Sequence, residues 1–292
     1  MTSILEIVRP TDLDGLLAVL EEPFRNPRML AGGTDLLLKL PHEAGPDVTI
    51  VDITGIDSLS EVVVEEGGLR IGAATRLADI IRSQEVAQRF PVLIEGAASV
   101  AGPQVRNLAT LGGNVCNASP SADMITPLLV LGAEAVILSS SGHRAVPLAD
   151  FFVGPGQTVL EPGELLEALS IPEPLSGIEA SYKKSSPRNA MDLAVAGVAV
   201  ALWRDASGIH SRIGLGAVAP TPLRATAAEE IINGSATIGP TLAAESGRLA
   251  AAAASPISDV RGSAAYRVAL VERIVARLLL EVHGRIEDKV AG

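Results

Sequence analysis

Cysteine is almost missing: Cys116 is the single thiol among 292 residues. One thiol cannot build a disulfide framework, a cysteine zinc site or an iron–sulfur cluster within the chain. Aromatic residues make up only 2% of the sequence. The histidines, His42, His143, His210 and His283, are scattered and show no metal-ligand spacing. There is no Lys/Arg cluster, and the formal net charge is -11. Nucleic-acid binders carry a basic face, so no such partner is expected. The N-terminus has no basic segment followed by an apolar run, so no signal peptide is expected. Gly, Pro or charge interrupts each apolar stretch well before membrane-spanning length. The expectation is a cytoplasmic chain without membrane insertion. No Ser-His-Asp or paired-carboxylate arrangement can be defended, so no catalytic residue is assigned.

What is present favours a large core. Hydrophobic residues are 48% and charged residues 20%, a balance that excludes global disorder. The length implies two or three compact units. Alternation predicts strands over residues 4–8, 28–31 and 48–53, with an amphipathic helix after Thr11 on Leu13, Leu16, Leu17 and Leu20. A hairpin is predicted for 62–65 and 69–73 around Glu66-Gly67-Gly68. Helices follow from Thr75 to about Gln88 and over 91–98, then an irregular polar stretch over 103–123. A helix ends at Gly132, residues 135–138 pair with 144–147, and 164–171 closes this unit. Residues 172–177 read as a linker. Strands over 180–184, 194–203 and 209–217 and helices over 225–232, 240–254 and 263–283 form a separate α+β domain.

Two glycine pairs carry the chemistry. The first lies in Ala31-Gly32-Gly33-Thr34-Asp35, between a strand and Leu36. Paired glycines allow close backbone approach, and successive free N–H groups form an anion cradle suited to a pyrophosphate. A tight structural turn is the alternative. The second runs from Thr110 through Gly112-Gly113-Asn114, Cys116, Asn117, Ser119 and Ser121 to Asp123. Such density of polar side chains beside glycines suits a polar ligand; the alternative is an irregular loop. Ile213-Gly214-Leu215-Gly216-Ala217-Val218-Ala219 matches a dinucleotide fingerprint formally. Pro220 and Pro222 forbid the helix start that would hold phosphate, so it reads as a strand end. Cys116 reads as a small packing residue near the ligand.

The order of these glycine pairs, about eighty residues apart, resembles the FAD-binding medium subunits of the xanthine dehydrogenase and aerobic carbon monoxide dehydrogenase family. Further matches are Pro103-Gln104-Val105-Arg106-Asn107, Asp150-Phe151-Phe152, Pro162-Gly163-Glu164-Leu165-Leu166, Tyr182-Lys183-Lys184, and Asp259-Val260-Arg261-Gly262-Ser263 with Tyr266-Arg267. The resemblance implies an α+β chain: a two-part FAD-binding domain of vanillyl-alcohol-oxidase-like type over 1–176, with subdomains 1–56 and 57–176, then a smaller α+β domain over 177–292. It implies that residues from Ala31 to Leu36 wrap the pyrophosphate, that Thr110, Gly113, Asn114 and Asn117 line the cofactor, and that Asp123 holds the adenosine ribose or nearby polar atoms. It places Leu166 and Lys184 near the isoalloxazine, with Lys183 competing. The FAD is expected to be non-covalent, since no histidine accompanies these loops.

The family role is electron transfer within a molybdenum hydroxylase. Molybdopterin and [2Fe-2S] clusters belong to a large and a small partner subunit, as a dimer of heterotrimers. Asn114 after Gly113 points to an N-heterocycle such as a purine as substrate. A carbon monoxide dehydrogenase medium subunit, a self-contained FAD oxidoreductase and a non-catalytic nucleotide-binding module are the competing readings.

Overall fold

A computed structural model describes residues 4–22, 26–43, 47–188 and 191–291. The chain forms three units in sequence order. The first contains β1 (Ile4–Val8), α1 (Leu13–Glu21), β2 (Pro27–Leu30), α2 (Leu36–Glu43) and β3 (Val48–Asp52). Its strands form a parallel sheet in the order β1-β3-β2. The central strand β3 is buried from Val48 to Val51, as a strand with neighbours on both edges should be. Asp12, not Thr11, caps α1, accepting from the Gly15 N–H at 2.7 Å. Both side chains are suitable caps, and the backbone at Asp12 is extended, as a cap residue requires.

The second unit begins with β4 (Val62–Glu65) and β5 (Gly68–Gly72). Helices α3 (Leu77–Arg82), α4 (Gln84–Arg89), α5 (Pro91–Ser99), α6 (Pro103–Arg106), α7 (Leu111–Cys116) and α8 (Ile125–Leu131) follow. Then come β6 (Glu134–Ser139), β7 (Gly142–Pro147), the short pair β8 (Phe152–Gly154) and β9 (Gln157–Thr158), and β10 (Leu165–Pro172). The main sheet has the order β4-β5-β10-β6-β7, so the last strand enters its centre. Leu69, Ile71, Ile137 and Leu169 on the sheet pack against Leu77, Leu93, Leu111 and Leu128 on the helices.

Two expectations change here. Thr75 does not cap one long helix. The chain turns at Ser83, whose hydroxyl accepts from the Val86 N–H and starts α4. The stretch over 103–123 is not wholly irregular; it holds α6 and α7, too short to show periodicity.

The third unit is an antiparallel sheet of β11 (Glu179–Ser185), β12 (Ala196–Asp205), β13 (Gly208–Gly216) and β14 (Leu223–Arg224). It is followed by α9 (Thr226–Glu230), α10 (Pro240–Ala253) and α11 (Ala264–Ala291). Val198, Val200 and Leu202 bury one face of β12 under Val271, Val275 and Leu279 of α11. The opposite face, with Ala199 and Ala201, joins the core of the second unit, and α5 and α8 lie against β11–β13. This contact brings the third unit to the cleft described next.

Candidate functional site

The first and second units enclose a cleft of about 660 Å³, within the range of roughly 300–1,000 Å³ usual for small-molecule and cofactor sites. One wall is the turn that joins β2 to α2. A Cβ on Gly32 would lie 2.0 Å from the carbonyl oxygen of Leu108, so only glycine lets this turn meet the second unit. Gly33 takes the left-handed conformation, with φ +70°. The Leu37 N–H bonds the Gly33 carbonyl and the Lys39 N–H bonds the Asp35 carbonyl, which begins the helix. Among the described residues, the amides of Thr34, Asp35 and Leu36 make no hydrogen bond. These are the donors that a helix start leaves free, and an anion is their natural partner.

The opposite wall behaves differently. The Thr110 hydroxyl accepts from the Gly113 N–H at 3.1 Å, the Leu111 N–H bonds the Thr75 carbonyl and the Gly112 N–H bonds the Ala73 carbonyl. The amides of the second glycine pair are therefore consumed within the protein. Gly112 serves packing, since a Cβ there would sit 2.5 Å from the Cβ of Ala73. What α7 presents to the cleft is side chains. Asn114 Oδ1 is buried without a hydrogen-bond partner, a state that a bound polar ligand would relieve. Asn117 bridges the walls: its Oδ1 accepts from Lys39 Nζ at 2.6 Å, and its Nδ2 donates to Asp35 at 3.2 Å.

A buried polar group closes the site against the third unit. Asp123, 6% exposed, accepts from the Tyr182 hydroxyl at 2.7 Å and from Lys184 Nζ at 2.8 Å. Lys184 also donates to the Ser99 carbonyl at 3.0 Å. Burial raises the Asp123 carboxyl above its usual range, while the Lys184 charge and the Tyr182 hydroxyl pull it back. Burial, reinforced by the Asp123 charge, pushes the Tyr182 phenol well up, so it stays a donor. Cys116 borders the cleft, and burial pushes its thiol up to about 12, which leaves it protonated and unreactive.

The residues from Ala31 to Leu36 line this cleft, together with Thr110, Gly113, Asn114, Asn117, Asp123 and Lys184. Leu166 does not. It is 2% exposed in the second unit's core, because its position on the central strand β10 turns it under the helices. Lys183 is exposed and outside the lining, because alternation along β11 puts it on the face opposite Lys184. The resemblance sent Asp123 to the ribose and Lys184 to the isoalloxazine. In the structure the two side chains form an ion pair at 2.8 Å. The sequence reading passed over Arg28 and Lys39, which also line the cleft. The available signal was their place on either side of the first glycine pair. Among the described residues no cluster of His, Cys, Asp and Glu could hold a metal. No helix among them is long and apolar enough to cross a membrane.

Comparison with known proteins shows the family. Residues 3–174 match the family model described as the FAD binding domain in molybdopterin dehydrogenase, and residues 180–282 match the CO dehydrogenase flavoprotein C-terminal domain. The chain is 36% identical over 257 residues to the xanthine dehydrogenase FAD-binding subunit of Escherichia coli O157:H7, covering 87% of this chain and 88% of that one. It is 33% identical over 281 residues to the carbon monoxide dehydrogenase medium chain of Afipia carboxidovorans, covering 96% and 97%. A solved carbon monoxide dehydrogenase chain from Hydrogenophaga pseudoflava superposes with a TM-score of 0.92 at 32% identity, covering 98% of this chain and 99% of that one.

Proposed function

The chain belongs to the family of FAD-binding medium subunits of molybdenum-containing dehydrogenases, and from that premise we propose that it carries non-covalent FAD in this cleft as an electron-transfer subunit. The free amides of Thr34, Asp35 and Leu36, facing side chains of α7 across one cleft, carry this reading. They would hold the pyrophosphate. Asn114 and Asn117 would engage polar atoms of the cofactor from the other wall. Lys184, fixed by Asp123 and Ser99, would set a positive charge at the cleft's inner end. Bound FAD supplies the exchange between one-electron and two-electron transfer. The protein supplies position, exclusion of water and local potential.

The chain receives electrons from the [2Fe-2S] clusters of a small partner subunit and delivers them to an external acceptor. A large molybdopterin-binding subunit oxidises the substrate, for which an N-heterocycle such as a purine is the proposed class. We propose a dimer of such heterotrimers, in the cytoplasm. The boundary between the FAD-binding and C-terminal domains is placed at 176/177, which the two family matches, ending at 174 and starting at 180, support.

Purification of the full chain alone, followed by FAD addition, tests the reading. The chain is expected to take up FAD, turn yellow and release it on acid denaturation, yet hydroxylate no heterocycle. Hydroxylation should appear only with both partner subunits. A chain that stays colourless at saturating FAD, or one that hydroxylates a purine unaided, would refute it.

A further inference from the structure

The charges in the cleft are unevenly matched. Lys184 is neutralised by Asp123, Asp192 at the rim is paired with Arg188, and the Asp35 carboxylate, which also lines the cleft, accepts from Asn117 Nδ2. Arg28 and Lys39 differ. The Arg28 side chain makes no hydrogen bond or ion pair among the described residues, and Lys39 Nζ donates only to the neutral amide of Asn117. Arg28 lies on β2, four residues before Gly32, and Lys39 lies on α2, six residues after Gly33. Both line the same cleft as the unbonded amides of Thr34, Asp35 and Leu36.

Electrostatics gives this pair a task. The molecule carries a formal charge of -11, and a diphosphate is doubly negative. The field of the whole protein opposes such a ligand, so local cations must offset it. Amides alone supply partial charges; Arg28 and Lys39 supply full ones. Asn117 aims Lys39, because its Nδ2 is committed to Asp35 and its Oδ1 is left to face Nζ. An ammonium has three protons, so Lys39 can keep this bond and still donate to a phosphate oxygen. The Arg28 guanidinium can take two phosphate oxygens at once.

We propose that Arg28 and Lys39 form a cationic pair that captures the cofactor's diphosphate, and that this pair sets how tightly the dinucleotide is retained. The inference rests on the FAD reading above and adds the ligand's recognition. Since recognition is of the diphosphate, ADP should compete for the site and adenosine should not.

The experiment is a titration of the full flavin-free chain with FAD, followed by flavin fluorescence at low and at high salt. Arg28→Gln and Lys39→Gln are each expected to weaken FAD binding by about tenfold, as the loss of one charge-assisted hydrogen bond implies. The losses should shrink at high salt, since both side chains are exposed and screened. Lys39→Arg should bind like wild type, and both neutral variants should lose affinity for ADP in proportion to their loss for FAD. Unchanged melting of the flavin-free variants would support a direct role. FAD binding in both Gln variants within twofold of wild type would overturn this inference alone, as would an equal loss of melting temperature and affinity. A wild-type chain that binds no FAD would overturn the cofactor reading and this inference with it.

Discussion

At Gly32 one added methyl group would collide with the backbone of Leu108, and backbone cannot swing aside as a long side chain can. Gly32→Ala is therefore expected to cost roughly 1–3 kcal/mol of stability and to abolish FAD retention. Urea unfolding and flavin release measure the two effects. Gly113 is a useful contrast. Its added Cβ would meet only the Thr110 hydroxyl, at 2.9 Å, so Gly113→Ala should fold with a smaller loss. Equal penalties at the two positions would contradict the close-approach argument. His283 gives a second prediction. Its Nε2 accepts from the Ile238 N–H at 3.1 Å, and burial lowers its pKa below the usual 6.5, against the opposing charge of Glu287. The unfolded ring binds its proton near 6.5, while the folded ring binds it only at lower pH. Stability should fall as pH drops below about 6.5. His283→Gln keeps an acceptor without the titration. Its urea midpoint should therefore fall less than that of wild type between about pH 7.5 and 5.5. Equal falls would assign the acid sensitivity to other groups.

At the scale of elements, α11 is fixed at its start by Arg267. This residue is 4% exposed and donates to the carbonyls of Val195 and Ala217 and to Asp259. It ties the last helix to the start of β12 and the end of β13, which lie side by side at the open end of that hairpin. Arg267→Met leaves these acceptors unmatched. The unmatched carbonyls are expected to cost roughly 1–3 kcal/mol, read as a shift of the denaturant midpoint. A shift below 1 kcal/mol would show that water replaces the guanidinium. Elements also show where sequence reading works. The hairpin of β4 and β5 was legible from Glu66-Gly67-Gly68 between apolar runs, because turn chemistry is local. The end of α8 was legible from Gly132, which adopts the left-handed φ of +73° that the cap demands. The helices α6 and α7 were not. With four and six residues, they cannot display a 3.6-residue period, and tertiary bonds to Ala73 and Thr75 hold α7 in place.

At the scale of the whole molecule, the third unit helps build the cleft through the Asp123–Lys184 pair and the Tyr182 hydroxyl. Tyr182 and Ser181 also engage Glu95 of α5. A second tie is Arg212 of β13, which donates to the Val130 carbonyl in the last turn of α8 at 3.3 Å. Asp123→Asn and Lys184→Met each leave one buried partner uncompensated, and the double variant removes both charges. The double-mutant cycle should therefore be non-additive, with a coupling of roughly 1–3 kcal/mol in urea unfolding. Additive losses would mean that the pair contributes no mutual stabilisation.

The sequence by itself determined most strands, the longer helices, a thiol inventory of one cysteine, and the glycine turn at 32–33. These follow from periodicity, side-chain inventory and the steric freedom of glycine, all of which act over a few residues. Tertiary structure alone decided that β10 enters the centre of its sheet, that Leu166 is buried, and that the amides of Gly112 and Gly113 are spent internally while those of Thr34 and Asp35 are not. It also joined Asp123 to Lys184, 61 residues apart, and Lys39 to Asn117, 78 apart. Such pairings depend on how sheets and helices stack. No local pattern of residues encodes which distant partner will occupy the last free valence of a buried charge.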